Sequence, residues 1–186
     1  MSHYIDLRLR PDPDFPPGIL LDALFAKLHR ALARHGHGDI GVSFPGYDGR
    51  HKLGAQLRLH GGADSLNQLM ALSWLTGLRD HVHVGQPLPL PATVEYRVVR
   101  RVQAKSSPER LRRRQMRRHG LSEQQALEKI PDHAREKLTL PYLRLKSAST
   151  GQVFSLFIQH GPLLTVARAG HFSTYGLSDT ATIPWF

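Results

Sequence analysis

The chain has 186 residues, with 25 Lys and Arg against 15 Asp and Glu, and a formal net charge of +10. It contains no cysteine, which excludes a disulfide framework and a thiolate metal site, and its 40% hydrophobic content is enough for one or two cores. It has no apolar run of roughly 20 residues and no signal-peptide core, so we expect a soluble, cytoplasmic protein with no membrane association.

The first half of the chain predicts a βαββαβ order. Apolar residues alternate in the strands and form one stripe on the first helix, and Ser65 with Gln68 has capping-box spacing in the second. The predicted elements are a strand at Ile5–Leu9, a helix that Pro16 and Pro17 open and Gly36 ends, strands at Ile40–Phe44 and Leu53–Leu59, a helix that starts near Asp64 and Ser65, and a strand at Val82–Val84. This is the ferredoxin-like order, which by itself says little about function.

A proline-rich connector at Gln86–Pro91 is the predicted domain boundary. We therefore expect an α+β protein with a ferredoxin-like domain over residues 1–92 and a smaller α+β domain over residues 93–186. The second domain is predicted to contain a strand at Thr93–Val102, an arginine-rich helix, a short helix capped by Ser122 and Gln125, strands at Tyr142–Lys146, Val153–Ile158 and Leu163–Ala167, and a terminal β-like segment.

The arginine-rich helix is the most unusual feature of the sequence. Ser107 is a good N-cap, and Pro108 suits the first helical position. At about 100° per residue, five arginines share an arc of roughly 140°: Arg110, Arg113, Arg114, Arg117 and Arg118. A charge run is usually a solvated helix face, but such faces intersperse acids, and none lies between Arg110 and His119. This pattern favours binding to a nucleic acid or another polyanion.

Signatures for phosphate loops, dinucleotides and zinc proteases are absent from the sequence. The two His-x-His pairs, at His35 and His81, are weak metal candidates without cysteine and with arginines nearby. We expect no metal and no cofactor. If the protein cuts nucleic acid, metal-free chemistry on RNA is favoured, because the 2′-hydroxyl of RNA can attack the adjacent phosphorus while histidine moves a proton.

Three places have residues suited to such chemistry, and the pattern leaves each open. His29 lies about 80° from the centre of the leucine stripe, where a histidine at a core boundary is the commoner case and a catalytic one the alternative. The segment Lys146–Gln152 is either a hairpin turn or a hydroxyl-rich loop beside phosphate. Phe154 and Phe157 point to opposite faces of their strand, so one of them can offer a stacking surface to an unpaired base.

Eight segments distributed over the whole chain carry a resemblance to a known family. They are Tyr4–Pro13, Lys27–His29, Gly41–Pro45, Arg101–Ser106, Pro108–Arg114, Ser149–Gln152, Tyr175–Ser178 and Pro184–Phe186. Together they closely resemble the CRISPR-RNA-processing endoribonucleases of type I-F systems, the Csy-type enzymes that cleave CRISPR repeats. The arginine helix and its lead-in are the specific part of this resemblance.

The resemblance implies an enzyme that binds the stem-loop of a CRISPR repeat and cuts once at the 3′ base of the stem without a metal. It implies products with 2′,3′-cyclic phosphate and 5′-hydroxyl ends, retention of the product, and other subunits of a type I-F surveillance complex as partners. His29 is the implied proton-transfer group, Ser147 positions the hydroxyl, and Tyr175 orients the histidine.

The resemblance also implies which residues bind the RNA. Arg101 and Gln103 would read bases at the foot of the stem, and Phe154 would provide a stacking platform. The remaining implied RNA-binding residues are Arg110, Arg113, Arg114, Arg117, Arg118, His119, Ser149 and Thr150. The alternative is a non-catalytic hairpin-binding subunit of a ribonucleoprotein. Direct DNA binding is not expected, because no helix-turn-helix spacing surrounds the arginines.

Overall fold

The computed structural model describes residues 1–103, 108–131 and 138–186. In these residues the chain forms four α-helices and two antiparallel sheets, which confirms the predicted α+β class. The helices are α1 (Pro17–His35), α2 (Ala63–Ala71), α3 (Pro108–His119) and α4 (Glu123–Lys129), with a short 3-10 helix at Arg79–His81. The strands are β1 (His3–Leu9), β2 (Gly41–Ser43), β3 (Gln56–Gly61), β4 (Val82–Val84), β5 (Leu88–Pro89), β6 (Glu95–Val102), β7 (Tyr142–Lys146), β8 (Val153–Leu164) and β9 (Ile183–Trp185).

The first sheet has the strand order β2-β3-β1-β4, and its neighbouring strands are antiparallel. This is the arrangement that a βαββαβ chain gives in the ferredoxin-like fold, as predicted. The register places Leu7 opposite Leu57, and both side chains are fully buried. Part of the predicted connector also joins this sheet, because β5 pairs with the start of β1.

Helix α1 places the candidate catalytic histidine. It begins at Pro17 and ends at Gly36, whose backbone is left-handed (φ 77°) and whose N–H donates to the carbonyl of Leu32. The predicted apolar stripe is buried, and α1 packs against α2 and β1 on one side and against β7 on another. His29 lies at the edge of this stripe and is half-buried. The edge position that the helical periodicity predicts is confirmed.

Helix α2 begins earlier than predicted, and the capping box expected from Ser65 and Gln68 is wrong. The N-cap is Gly62, which is extended and makes no side-chain cap bond. Ser65 therefore lies inside the first turn, and its hydroxyl donates to the Asp39 carboxylate instead. The second predicted box is confirmed, since Ser122 and Gln125 exchange both capping hydrogen bonds at the start of α4.

The second sheet has the order β7-β8-β6-β9. The prediction of separate strands at Val153–Ile158 and Leu163–Ala167 is wrong, because β8 continues without interruption to Leu164. Gly161 does not break the strand: its carbonyl accepts a hydrogen bond from Nε of Arg97 at 2.8 Å, and the pairing of β8 with β6 shifts register there. In this sheet Arg101 lies opposite Ile158, and Phe154 opposite Leu145.

Contacts divide the chain into two compact units, residues 1–102 with 140–186 and residues 103–139. The first unit contains both sheets with α1 and α2, and the second contains α3 and α4, which pack on each other. The predicted domain boundary after residue 92 lies between the strands of the two sheets, and the division into domains 1–92 and 93–186 stays a prediction. The expected N-cap Ser107 lies outside the described residues. Within those residues, no helix combines the length and apolar character needed to cross a membrane.

Candidate active site

A cavity of about 310 Å³ in the first unit brings together residues from three distant parts of the chain. Helix α1, the turn after β7, strand β8 and the loop before β9 contribute to its lining. Five of the predicted site residues line it: His29, Ser147, Ser149, Phe154 and Tyr175. The three predicted catalytic side chains therefore share one cavity, although Ser147 lies 118 positions and Tyr175 146 positions after His29 in the sequence.

The imidazole of His29 has a fixed hydrogen-bond partner. Its Nδ1 lies 2.9 Å from the carbonyl oxygen of Thr174. A carbonyl oxygen can only accept, so Nδ1 carries the proton and donates it to this bond. In the neutral ring the lone pair is then on Nε2, which is the nitrogen available to exchange a proton.

Aromatic stacking fixes the plane of the same ring. The rings of His29 and Tyr175 are nearly parallel, with centroids 4.0 Å apart and 5° between the planes. Behind them the fully buried Phe25 is parallel to Tyr175, at 6.4 Å and 8°. The histidine is thus held by a carbonyl at one ring atom and by a layered stack on one face.

The loop that supplies Thr174 and Tyr175 is itself well held by backbone hydrogen bonds. Ser173 N–H donates to the carbonyl of Leu177, and Gly176 N–H donates to that of Ser173, both at 2.8 Å. Gly176 has φ +68°, and a Cβ there would overlap the side chain of Val42 in β2. Only glycine fits this turn, so the position of Tyr175 depends on the residue that follows it.

The segment Lys146–Gln152 forms a tight turn, and its hydroxyls border the cavity. Ser147 exchanges backbone hydrogen bonds with Gln152 and Gly151, each 2.9 Å long. The Ser147 hydroxyl accepts the N–H of Thr150 at 3.2 Å and lies 3.1 Å from the hydroxyl of Ser149. The hairpin-turn interpretation of the segment is confirmed, and the role of its hydroxyls beside phosphate stays a prediction. Thr150 is exposed on the same turn.

Arg101 places a cation beside two of the cavity rings. Its guanidinium carbon is 5.5 Å from the centre of the Tyr175 ring and 5.8 Å from that of Phe154. Its Nε is buried and has no hydrogen-bond partner among the described residues. The guanidinium is thus oriented by the rings while it keeps donor capacity. Gln103 is exposed, two positions further along the chain.

In the second unit, α3 has the predicted helical start at Pro108, and its end is fixed by Gly120 (φ +63°), whose N–H donates to Met116. The side chains on one face are half-buried, among them Leu111 and Met116. The predicted arginine face is exposed in full, and it consists of Arg110, Arg113, Arg114, Arg117 and Arg118, with His119 exposed at the end. The helix and the orientation of its arginine face are confirmed, and its ligand stays a prediction.

The cavity also contains two cations that sequence reasoning did not select, Arg30 and Lys146. Its lining within the described residues has no carboxylate. The histidine pairs considered as metal ligands have other partners, since His35 bonds to Asp39 and His81 to Asp12. In the described ranges, no group of three or more His, Asp or Glu side chains is placed to hold a metal ion.

Sequence reasoning also missed Thr174 and Phe25. Thr174 contributes a backbone carbonyl, which carries no residue-type signal. Phe25 is one of the buried residues of the α1 stripe, and its second contact, with Tyr175, depends on a distant loop. Arg30 directly follows His29 and Lys146 directly precedes Ser147, and these positions were the available signals for cations in this cavity.

Comparisons with known proteins identify the same family along nearly the whole chain. Residues 4–186 match the family described as CRISPR-associated protein (Cas_Csy4). A protein of Pseudomonas aeruginosa (strain UCBPP-PA14), named CRISPR-associated endonuclease Cas6/Csy4, is 56% identical over 187 residues, and the match covers 100% of both chains. A protein of Escherichia coli (strain UTI89 / UPEC) with the same name is 50% identical over 186 residues, again covering 100% of both.

Proposed function

Because the chain belongs to the Csy4 family of CRISPR-associated proteins, we propose that it is a metal-independent endoribonuclease that processes CRISPR RNA. It binds the hairpin of a CRISPR repeat and cuts at the 3′ base of the stem. The observation that carries this proposal is the oriented imidazole of His29 in a cavity that also contains the Ser147 hydroxyl.

The reaction is an attack of the RNA on itself. Ser147 positions the 2′-hydroxyl of the nucleotide before the cut, and His29 Nε2 accepts its proton. The 2′ oxygen bonds to phosphorus and the bond from phosphorus to the 5′ oxygen breaks. That oxygen takes a proton from water, and the His29 imidazolium returns its proton to water. The products carry a 2′,3′-cyclic phosphate and a 5′-hydroxyl. Tyr175 keeps the imidazole plane fixed through the reaction.

Charge stabilisation comes from protein cations in this mechanism. Attack on phosphorus adds negative charge to the phosphate oxygens, and Arg30 and Lys146 at the cavity lining oppose it. Magnesium prefers carboxylate and other oxygen ligands. A lining of imidazole, hydroxyl, guanidinium and ammonium groups fits acid–base chemistry better than two-metal chemistry.

Recognition of the hairpin uses other residues. Arg101 reads a guanine edge and Gln103 an adenine edge at the foot of the stem, by the bidentate pairings these side chains make with bases. Phe154 stacks below the last pair, and Ser149 and Thr150 contact phosphate. The exposed arginine face of α3 enters the groove near a helix end, where A-form RNA is more open.

Product retention follows because the residues that bind the stem are not the residues that cut the RNA. The stem is not altered by a cut at its base, so its contacts with Arg101 and with the arginine face of α3 persist after cleavage. The retained hairpin then links the protein to the other subunits of a type I-F surveillance complex.

Analysis of the product ends tests this function. Wild-type protein is incubated with a repeat hairpin in EDTA, and the fragments are analysed by mass spectrometry. We expect a single cut at the 3′ base of the stem, with a cyclic phosphate on one fragment and a 5′-hydroxyl on the other. Binding without any cut identifies the non-catalytic hairpin subunit instead, and a 5′-phosphate product contradicts the proposed chemistry.

A further inference from the structure

The second sheet has a face that the proposed chemistry does not use. Side chains alternate along a strand, so β8 directs Phe154 toward the cavity and Phe157 to the opposite face. On that face, Phe157 lies in register with Tyr142 of β7 and Val102 of β6. The Tyr142 and Phe157 rings are 5.5 Å apart, and Tyr142 is 51% exposed.

Arginines flank this aromatic row on both sides. Arg144 follows Tyr142 by two residues on β7, where exposed residues alternate with the buried Leu143 and Leu145. On the other side, Nε of Arg100 donates to the Gln159 side chain at 2.9 Å, which holds the guanidinium on the sheet. We call this surface the outer platform, and it consists of Arg100, Val102, Tyr142, Arg144, Phe157 and Gln159.

The charged members of the outer platform, Arg100 and Arg144, are both cations. Strands β7 and β8 contain no acidic residue, and β6 contains only Glu95, at its first position. A cavity of about 630 Å³ beside β7 extends the platform, and its lining includes Tyr142, Arg144 and Lys52. Asp22 also lines this cavity, where its carboxylate accepts the backbone N–H of Arg144 at 2.9 Å.

We propose that the outer platform binds unpaired RNA that flanks the hairpin, with bases stacked on Tyr142 and Phe157 and phosphates on Arg100 and Arg144. Of the two rings Tyr142 is exposed and Phe157 is half-buried. Aromatic rings on a sheet surface, interleaved with cations, are the arrangement by which sheets bind single strands. A duplex offers no unstacked base to such rings. The proposal rests on the proposed function for the source of the RNA, but the platform itself is defined by its own side chains.

The test compares three RNAs on the full chain: a short unstructured oligouridine, a repeat hairpin with a single-stranded flank, and the same hairpin without it. In Tyr142→Ala and in Arg144→Ala we expect the affinity for the oligouridine and for the flanked hairpin to fall by about fivefold or more. Affinity for the bare hairpin and its cleavage rate should stay at the wild-type values. Tyr142→Trp keeps a stacking ring and should restore binding.

Matched controls are available elsewhere on the first unit. Phe15→Ala removes another exposed aromatic ring (46% exposed), and Arg50→Ala removes another exposed arginine. Neither control should change the affinity for any of the three RNAs. Thermal melting of each variant confirms that the exposed substitutions leave the fold intact.

Two results would overturn the proposal. In the first, both platform variants bind the oligouridine and the flanked hairpin with wild-type affinity. That result would assign the face to a protein partner. The other is an equal loss for the bare hairpin, which places these side chains on the stem. The oligouridine measurement is independent of hairpin binding and cleavage, so failure of the proposed function is distinguished from failure of the platform.

Discussion

The imidazole of His29 lies flat against the phenol ring of Tyr175, with 4.0 Å between the ring centroids and 5° between the planes. The contact is between rings, so we expect the aromatic ring rather than the hydroxyl to hold the histidine. Tyr175→Phe should keep most of the cleavage rate. Tyr175→Leu should lower the single-turnover rate by about tenfold, because the histidine loses its stack. Hairpin affinity should be unchanged in Tyr175→Phe, which keeps the ring beside the Arg101 guanidinium. Equal loss of rate in the two variants would assign the effect to the hydroxyl.

Removal of the proton-transfer group separates chemistry from binding. We expect His29→Ala to lower the single-turnover cleavage rate by about a hundredfold or more, since general acid–base catalysis contributes that much. Its affinity for the hairpin should stay within about twofold of wild type, because the arginines that hold the stem are elsewhere. His83→Ala, which removes an exposed histidine from β4, is the control. A His29→Ala protein that cuts at the wild-type rate contradicts the assignment.

Base reading and phosphate binding should respond differently to arginine removal. Arg101→Ala should weaken binding chiefly for stems with the correct basal pair, by the 1–3 kcal/mol, roughly, that a bidentate pair contributes to discrimination. Arg113→Ala, on the exposed face of α3, should weaken binding to all stems and reduce its salt dependence. Affinities for hairpins that differ only in the basal pair measure both effects. If both variants lost the same affinity for every stem sequence, the assignment of base reading to Arg101 and of phosphate binding to Arg113 would be wrong.

The sequence predicts the fold well where local periodicity decides the structure. The stripe on α1, the arginine face of α3 and the capping box at Ser122 all follow from residue spacing, and all three are present. The errors occur where tertiary contacts override a local signal. Ser65 bonds to the distant Asp39 instead of capping α2, and Gly161 continues β8 because Arg97 and a register shift accommodate it.

The candidate site is less accessible to sequence reasoning than the fold. Periodicity places His29 at the core boundary, but it cannot distinguish a structural histidine from a reactive one. The contacts that orient the His29 ring come from a carbonyl 145 residues away and from a ring on a loop without periodicity, namely Thr174 and Tyr175. The family resemblance selected the side chains, and the fold supplies the geometry that joins them in one cavity.

The free energy of unfolding should decrease at acidic pH because of two histidines that lie outside the candidate site. Burial lowers the pKa of His60 to about 3, and burial with the nearby Arg97 charge lowers the pKa of His160 to about 4. Both pKa values lie below the ordinary 6.5, so the contribution of these histidines to stability is complete above about pH 6.5. It is lost as pH falls toward 4 for His160 and toward 3 for His60. In that window the unfolded chain binds protons that the folded chain does not.

His160→Phe tests this dependence without loss of packing. The His160 ring stacks on Tyr47 with centroids 4.0 Å apart, and both of its nitrogens lack a hydrogen-bond partner among the described residues. Phenylalanine keeps the ring and removes the titration. Denaturant unfolding at neutral pH and at about pH 5 should show the acid-induced loss in unfolding free energy reduced by about 1 kcal/mol per pH unit. An unchanged pH slope would contradict the role of His160.

In the proposed reaction the RNA cuts itself through its own 2′-hydroxyl, with protein side chains in place of metal ions. The most direct measurement is single-turnover cleavage, in EDTA, of a repeat hairpin and of the same hairpin with one 2′-deoxy nucleotide immediately before the cut. We expect the all-ribose hairpin to be cut at the rate seen without EDTA, and the 2′-deoxy hairpin to be bound with the same affinity and left intact. Cleavage of the 2′-deoxy hairpin, or loss of all cleavage in EDTA that magnesium restores, would contradict it.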